Sequence, residues 1–314
     1  MSASVLTLFT ETTLDGFPLW VVLLICGGVF LAGFMDAIAG GGGIISVPIY
    51  LMAFSGLPTH FVLGTNKLSS CIGTAFSTGR YIKNGYVDWK LGIPSIVLAL
   101  IGSFFGTKLQ LMISEVYLQY LLLIVLPVVA FVVLRQRQLP EQRGDIEPKK
   151  QMAIVYLASL VVGAYDGFYG PGTGTFLLLI FCNLAKLDVR TAGGNVKLVN
   201  LASNIGALVT SLMSGKVFLV LGLIGTVTSF LGHFLGAGLA IIFCGYVVSL
   251  NWGAWFDASS MLSQHWRWCF LLPATIALLG AAVVWAFVRD TPSSVGLPEL
   301  KTGKTAEKPQ SKAE

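Results

Sequence analysis

Charge is what this sequence has least of. Asp, Glu, Lys and Arg make up 11% of its 314 residues, where a water-soluble domain carries roughly 25%. So little charge cannot cover a soluble surface, and a mean hydropathy of +0.79 puts most of the chain in lipid. Histidine is nearly absent too. His60, His233 and His265 belong to no ligand cluster, so neither a metal nor another cofactor is expected. The five cysteines (Cys26, Cys71, Cys182, Cys244, Cys269) lie singly in apolar stretches without a CxxC, and read as small core residues, not a disulfide framework. Nucleophile, phosphate-loop and zinc-protease motifs (GxSxG, Walker A, HExxH) are missing, which argues against an enzyme. No nucleic-acid partner is expected; the partners are the bilayer and a small solute.

What is present is length of apolar run. Stretches of about 20 residues, enough to cross a bilayer, occur near 18–38, 60–80, 91–111, 115–134, 151–169, 192–213, 217–242 and 268–288. Two more, 44–54 and 174–184, are too short to cross comfortably. The fold class expected is an all-α polytopic membrane protein of about eight transmembrane helices. Glu11 and Asp15 precede the first run where a secretory signal would carry positive charge, so that run is expected to persist as a helix.

Glycine is abundant, at 36 residues, and it is patterned. Phe34–Ile44 contains Asp36 followed by Gly40-Gly41-Gly42-Gly43, and Ala164–Gly174 contains Asp166 followed by Gly170-Pro171-Gly172-Thr173-Gly174. The two align without a gap at 166 minus 36, an offset of 130. The same offset pairs Gly33 with Gly163, Gly64 with Gly194, Lys67 with Lys197, Gly85 with Gly215, Gly92 with Gly222, Gly102 with Gly232 and Gly106 with Gly236. Chance would match about one glycine pair over such a window, so the chain reads as an internal duplication. Two four-helix repeats are expected, each with a glycine-broken re-entrant half-helix: 1–134 and 151–290, joined by a cytoplasmic linker at 135–150 and followed by a disordered cytoplasmic tail at 291–314.

Lysine and arginine cluster at Arg80, Lys83 and Lys90, in the linker (Arg135, Arg137, Arg143, Lys149, Lys150) and in the tail. If the eight long stretches cross and the short ones dip and return, all three clusters share the cytoplasmic side. The halves are then parallel and both termini are cytoplasmic. If the short stretches cross, the halves are inverted instead. Four tryptophans between 252 and 268 suit an outer-interface belt.

Non-helical backbone at membrane depth must be buried in protein or line a cavity, because unsatisfied amides are too costly in lipid. The breaks at Gly40–Gly43 and at Gly170, Gly172, Thr173 and Gly174 therefore read as substrate-lining, with Pro171 suited to a first helical turn. A helix that starts in mid-membrane offers free N–H groups and the positive end of its dipole to an anion. For Gly102, Gly106, Gly232 and Gly236, at GxxxG spacing, close helix packing is the simpler account. Ionisable residues within spans default to function. Asp36 and Asp166 could cap the half-helices or carry a proton. Lys67 and Lys197 could pair with the aspartate of their own repeat, supply charge to an anion, or both. Thr65, Asn66, Asn195 and Asn200 add polar contacts.

These paired motifs, Asp36–Gly43 with Gly64-Thr65-Asn66-Lys67 and Asp166–Gly174 with Gly194-Asn195-Val196-Lys197, resemble the TauE/SafE family of sulfite and organosulfur anion exporters over about 17–240. The resemblance implies an inner-membrane carrier of sulfite, sulfoacetate or a related small inorganic or organosulfur anion, coupled to protons. Residues 232–298 instead resemble the sixth-helix region of organophosphate:phosphate antiporters, which makes an organophosphate or phosphate transporter the alternative. An intramembrane aspartyl protease also uses two membrane aspartates. That reading is disfavoured, because the Gly-x-Gly-Asp motif is absent and each aspartate has a lysine at a matching place.

Overall fold

The computed structural model describes residues 13–14, 16–38, 42–54, 57–118, 120–121, 124–125 and 142–249, the last thirteen and Ile38 by backbone alone. A short hairpin, β1 (Thr13–Leu14) and β2 (Phe17–Pro18), leads into α1 (Leu19–Ile38). Then follow α2 (Gly43–Ala53), α3 (Thr59–Lys83) and α4 (Trp89–Met112). After residue 142 come α5 (Pro148–Phe168), α6 (Thr173–Leu179), α7 (Val189–Met213) and α8 (Leu219–Ser249), with a π-helical turn, Ile180–Leu184, extending α6. The molecule is a multi-pass, all-helical membrane protein. Among the described residues, five segments are both long and apolar enough to cross a bilayer: Leu19–Ala37, α4, α5, α7 and Leu219–Gly236 of α8. α3, at 25 residues, is as long as α7, but it buries Thr65, Asn66, Lys67, Ser69, Thr74, Ser77 and Thr78. Those polar side chains are shielded by protein, so the helix has no need to be apolar all round.

Six of the eight expected spans thus correspond to α1, α3, α4, α5, α7 and α8, and the two short stretches to α2 and α6. Of 115–134 only the beginning is described, with 115–118 helical. The span at 268–288, the tryptophan belt, most of the linker and the tail lie outside the described residues. Helix bounds keep the sequence offset. α3 and α7 differ by 130 at both ends, α2 and α6 start at Gly43 and Thr173, and α4 and α8 start at Trp89 and Leu219.

Local signals account for the helix starts. Asp88 and Asp188 cap α4 and α7 by accepting the N–H groups of Lys90 (3.2 Å) and Thr191 (3.0 Å). Pro148 occupies the first turn of α5, where its missing N–H is not needed. Pro171 is different. It lies in the turn before Gly172, and the helix begins only at Thr173, so the expectation that this proline opens the helix is corrected by two residues.

The direction of the chain runs against the parallel arrangement. α2 turns back along α1: Phe54 at its end stacks with Phe17 just before the start of α1, ring centroids 5.3 Å apart. Phe218, in the α7–α8 connection, packs on Phe17, Phe54 and Phe61 at the same end. At the opposite end of α3, Tyr81 meets Tyr86 of the α3–α4 connection. There Arg143 bonds Asp88 at 2.9 Å and lies 3.7 Å from Asp188. The N-terminal strands and the Arg80/Lys83/Lys90 cluster are therefore at opposite ends and cannot share one side. α5 begins at the end where α1 finishes, and α6 returns to it, Gln151 Nε2 donating to Ala185 O (2.7 Å). The short helices do go back to the side they came from, but the helices preceding them enter from opposite ends.

Packing is exchanged between the halves. One apolar cluster joins α1, α2, α3 and α8 through Ile25, Val29, Tyr50, Phe54, Val62 and Leu221. The other joins α4, α5, α6 and α7 through Leu91, Ala99, Val155, Phe181 and Val199. Glycine makes both approaches close. A Cβ on Gly102 or Gly106 would collide with the carbonyls of Leu160 and Ala164, and one on Gly232 or Gly236 with those of Phe30 and Phe34. The packing reading of the GxxxG glycines holds.

Candidate functional site

The two chain breaks meet. A Cβ on Gly43 would stand 3.4 Å from Pro171 Cα. Around this meeting point lies a cavity of about 60 Å³. It is lined by Gly42, Gly43, Gly170, Gly172, Thr173 and Gly174 from the breaks, by Asn66, Lys67, Ser69 and Ser70 of α3, by Asn200 and Asn204 of α7, and by Asp36, Ser46, Asp166 and His233. Gly170 and Gly172 have φ of +94° and +82°, a region that side chains disfavour. Gly170 also leaves room for the Lys67 ammonium, which a Cβ would approach to 3.0 Å.

Most expected substrate residues converge here, with exceptions. Thr65 faces the end of the molecule, its hydroxyl oxygen accepting the Phe218 N–H at 3.0 Å. Asn195, at the equivalent position of α7, donates to Thr191 O at 2.9 Å and also lies away from the cavity. Both sit a turn or less from their lysine but on the wrong face, which the motif could not show. Gly40 and Gly41 are outside the described residues. Lys197 reaches the cavity wall only through Asp36.

The lysines pair across the halves, not within them. Lys67 Nζ lies 2.9 Å from Asp166 Oδ1, and Lys197 Nζ lies 2.8 Å from Asp36 Oδ2. The within-repeat pairing expected from sequence is therefore corrected, because α3 packs beside α7 and each lysine reaches over to the opposing break. Asp166 is also held by Thr173 Oγ1 (2.8 Å) and Ser203 Oγ (2.6 Å), while Lys67 donates to Asn204 Oδ1 at 3.0 Å. Asp36 accepts the Gly42 N–H at 3.1 Å, capping α2, and faces His233 Nε2 at 3.1 Å. Both aspartates thus brace the break that follows them.

His233 was not among the residues chosen from sequence. The signal was there: an ionisable side chain inside an apolar span, the same rule that marked the aspartates. Ser46 was not anticipated either; its Oγ and the Oδ1 of the expected Asn66 are buried atoms that line the cavity and find no hydrogen-bond partner among the described residues. A buried polar atom left unpaired costs about 1–3 kcal/mol, so these two are open to a hydrogen-bonding group that enters the cavity. Among the described residues, no group of three His, Cys, Asp or Glu side chains is placed to hold a metal.

Comparison with known proteins agrees with the motifs. Residues 25–244 match the family described as sulfite exporter TauE/SafE. A "Probable membrane transporter protein ORF9" of Sinorhizobium sp is 35% identical over 68% of this chain and 80% of its own length. "Probable membrane transporter protein YfcA" of Escherichia coli K12 is 33% identical over 67% of this chain and 77% of its own. A "Probable membrane transporter protein" of Haemophilus influenzae is 30% identical over 70% and 85%. No solved structure matches. With its paired glycine breaks, its helical membrane fold and a match over most of its length, the chain belongs to the TauE/SafE family of membrane transporters.

Proposed function

We propose that this transporter carries a small oxyanion of sulfur, of the sulfite class, and that the cavity between the two breaks is where the anion binds. The observation that carries this reading is the cavity wall. A buried lysine, the N-terminus of α2 and two unpartnered polar groups, Ser46 and Asn66, surround one small space. At the roughly 10–15 Å³ that a water-sized group needs, 60 Å³ accommodates about four to six such groups. That suits the four heavy atoms of sulfite, is tight for sulfoacetate and tighter for an organophosphate. Of the phosphate alternatives, inorganic phosphate fits the volume best. A protease reading has little support, since each aspartate is engaged by its own lysine.

The helix directions and the constant offset support an inverted duplication, with the end bearing Arg80, Lys83, Lys90, Arg143, Lys149 and Lys150 in the cytoplasm. The membrane is then the bacterial inner membrane. Asp36 and Asp166, each on a break, are the sequence-derived candidates for proton coupling. Calorimetric titration of the purified protein with sulfite, thiosulfate, sulfoacetate, sulfate and phosphate tests the reading. Saturable binding of sulfite, with sulfoacetate weaker, is the expected result; binding of none, or of phosphate alone, contradicts it.

A further inference from the structure

The cavity's five ionisable groups do not cancel. Asp36 with Lys197 and Asp166 with Lys67 are two neutral pairs. His233 is left over. Its Nδ1 lies 2.8 Å from the backbone oxygen of Ser229, and its Nε2 lies 3.1 Å from Asp36 Oδ2. Both partners are oxygen acceptors, and Asp36 Oδ2 already receives the Lys197 ammonium at 2.8 Å. The Ser229 hydroxyl, which could donate to Nδ1, stands farther off at 3.5 Å. A neutral imidazole has one lone pair, which would have to face one of the two nearer oxygens, so two donor N–H groups fit the geometry better than one.

We infer that His233 holds an exchangeable proton and that this proton is the charge which admits the anion, so that one proton and one monoanion occupy the site together. The inference rests on the anion-carrier reading above and moves the coupling role from the two aspartates to one histidine. In this state the cavity groups sum to one positive charge, which a single monoanion neutralises. A dianion would leave a net negative charge in a site of low dielectric, where unpaired charge is strongly disfavoured. Protonated His233 and bound anion therefore stabilise one another, and by linkage each raises the affinity for the other equally. The groups that face the imidazole are Asp36 from α1, with Lys197 of α7 behind it, and Ser229 from α8; Gly73 of α3 presents no side chain. Lys67 and Asp166 stand on the cavity wall as the other pair.

The fold makes room for this histidine in one half only. A Cβ on Gly73 would come within 2.5 Å of the imidazole ring, and one on Gly33 within 2.8 Å of Nδ1. At the offset of 130, Gly73 corresponds to Ser203 and His233 to Ser103. In the second half, then, Ser203 itself bonds the aspartate, and among the described residues no imidazole stands beside the pair. The two halves hold the same carboxylate in two ways, and an imidazole faces only one of the two.

The test is sulfite affinity from pH 5.5 to 8.5 for the full-length wild type, His233→Gln and the double variant G73S/H233S, with thermal melting recorded for each. The double variant rebuilds the first half in the pattern of the second, and so provides a substitution that this fold already tolerates. Sulfite's own titration is common to all three and drops out of the comparison. Above the pH at which His233 loses its proton, wild-type affinity should fall tenfold per pH unit relative to both variants. Each variant should bind weakly at pH 5.5, where the difference is greatest. Parallel pH profiles, with sulfite still bound by all three, overturn the role of His233 and leave the carrier reading standing. Failure of the wild type to bind any sulfur oxyanion overturns the carrier reading and removes the anion to which the proton would be coupled.

Discussion

The Asp166–Lys67 pair and the Asp36–Lys197 pair occupy equivalent places in the two halves, yet they are built differently. The first is sealed: its side chains are 3% and 7% exposed, and Ser203, Thr173 and Asn204 take up the remaining hydrogen-bonding capacity. The second is looser, at 13% and 12%, and exchanges the serine for an imidazole. One backbone device is thus braced by a serine on one side and faced by an imidazole on the other. At the offset of 130, Gly73 stands where the other half has Ser203, and His233 where it has Ser103.

The comparison breaks most completely if the halves prove not to be inverted. Single cysteines at Val217 and at Asp145 should react with an impermeant thiol reagent from opposite sides of the membrane, all or none in each case. Reaction of both from one side would restore the parallel arrangement.

Next in size is the sealed pair. Removing one partner of a buried ion pair typically costs about 3–5 kcal/mol, because the other is left charged and alone. Lys67→Met should therefore lower the melting temperature sharply, and adding Asp166→Leu should recover most of the loss. Lys197→Met should cost less than Lys67→Met, since its aspartate keeps His233 and the Gly42 N–H. Equal losses at the two positions would erase the difference between brace and contact.

The smallest effect is at the helix starts. Asp188 caps α7, whereas its counterpart Pro58 offers α3 no side-chain cap. Burial pushes the Asp188 carboxyl up, but the Thr191 hydrogen bonds and Arg143 more than offset it, leaving it below the usual carboxylate range. A depressed folded-state value means that the stabilisation is complete above the unfolded carboxyl's pKa and disappears as pH falls through the folded one. Asp188→Ala should cost about 1 kcal/mol at pH 7 and nothing further in strong acid, as read by melting curves across that range.

Much of this was legible in the sequence because glycine and charge are so costly in a membrane that their positions carry meaning. The offset of 130 recurs in the bounds of α3 and α7, although the apolar runs at 60–80 and 192–213 fell short of them by up to three residues, and the glycine clusters anticipated where the breaks meet. The partners were not legible. Pairing of Lys67 with Asp166 depends on α3 lying beside α7, and lysine counts in loops could not reveal that α2 turns back to Phe17. Thr65 and Asn195 show the same limit, since adjacency to a cavity lysine along a helix puts a side chain on a different face. His233 was missed for another reason: its meaning lies in Gly73, a residue notable only for what it leaves open.

Ser46 Oγ and Asn66 Oδ1 have no hydrogen-bond partner among the described residues, and at the offset of 130 the second half has Phe176 and Val196 in their places. Sulfite flux into proteoliposomes, measured for the wild type and for Ser46→Ala/Asn66→Leu at matched folding, tests the anion site most directly. The account predicts wild-type flux that saturates with sulfite and falls at least tenfold in the variant, which corresponds to about 1.4 kcal/mol. Equal flux in the two proteins, or none in the wild type, would contradict it.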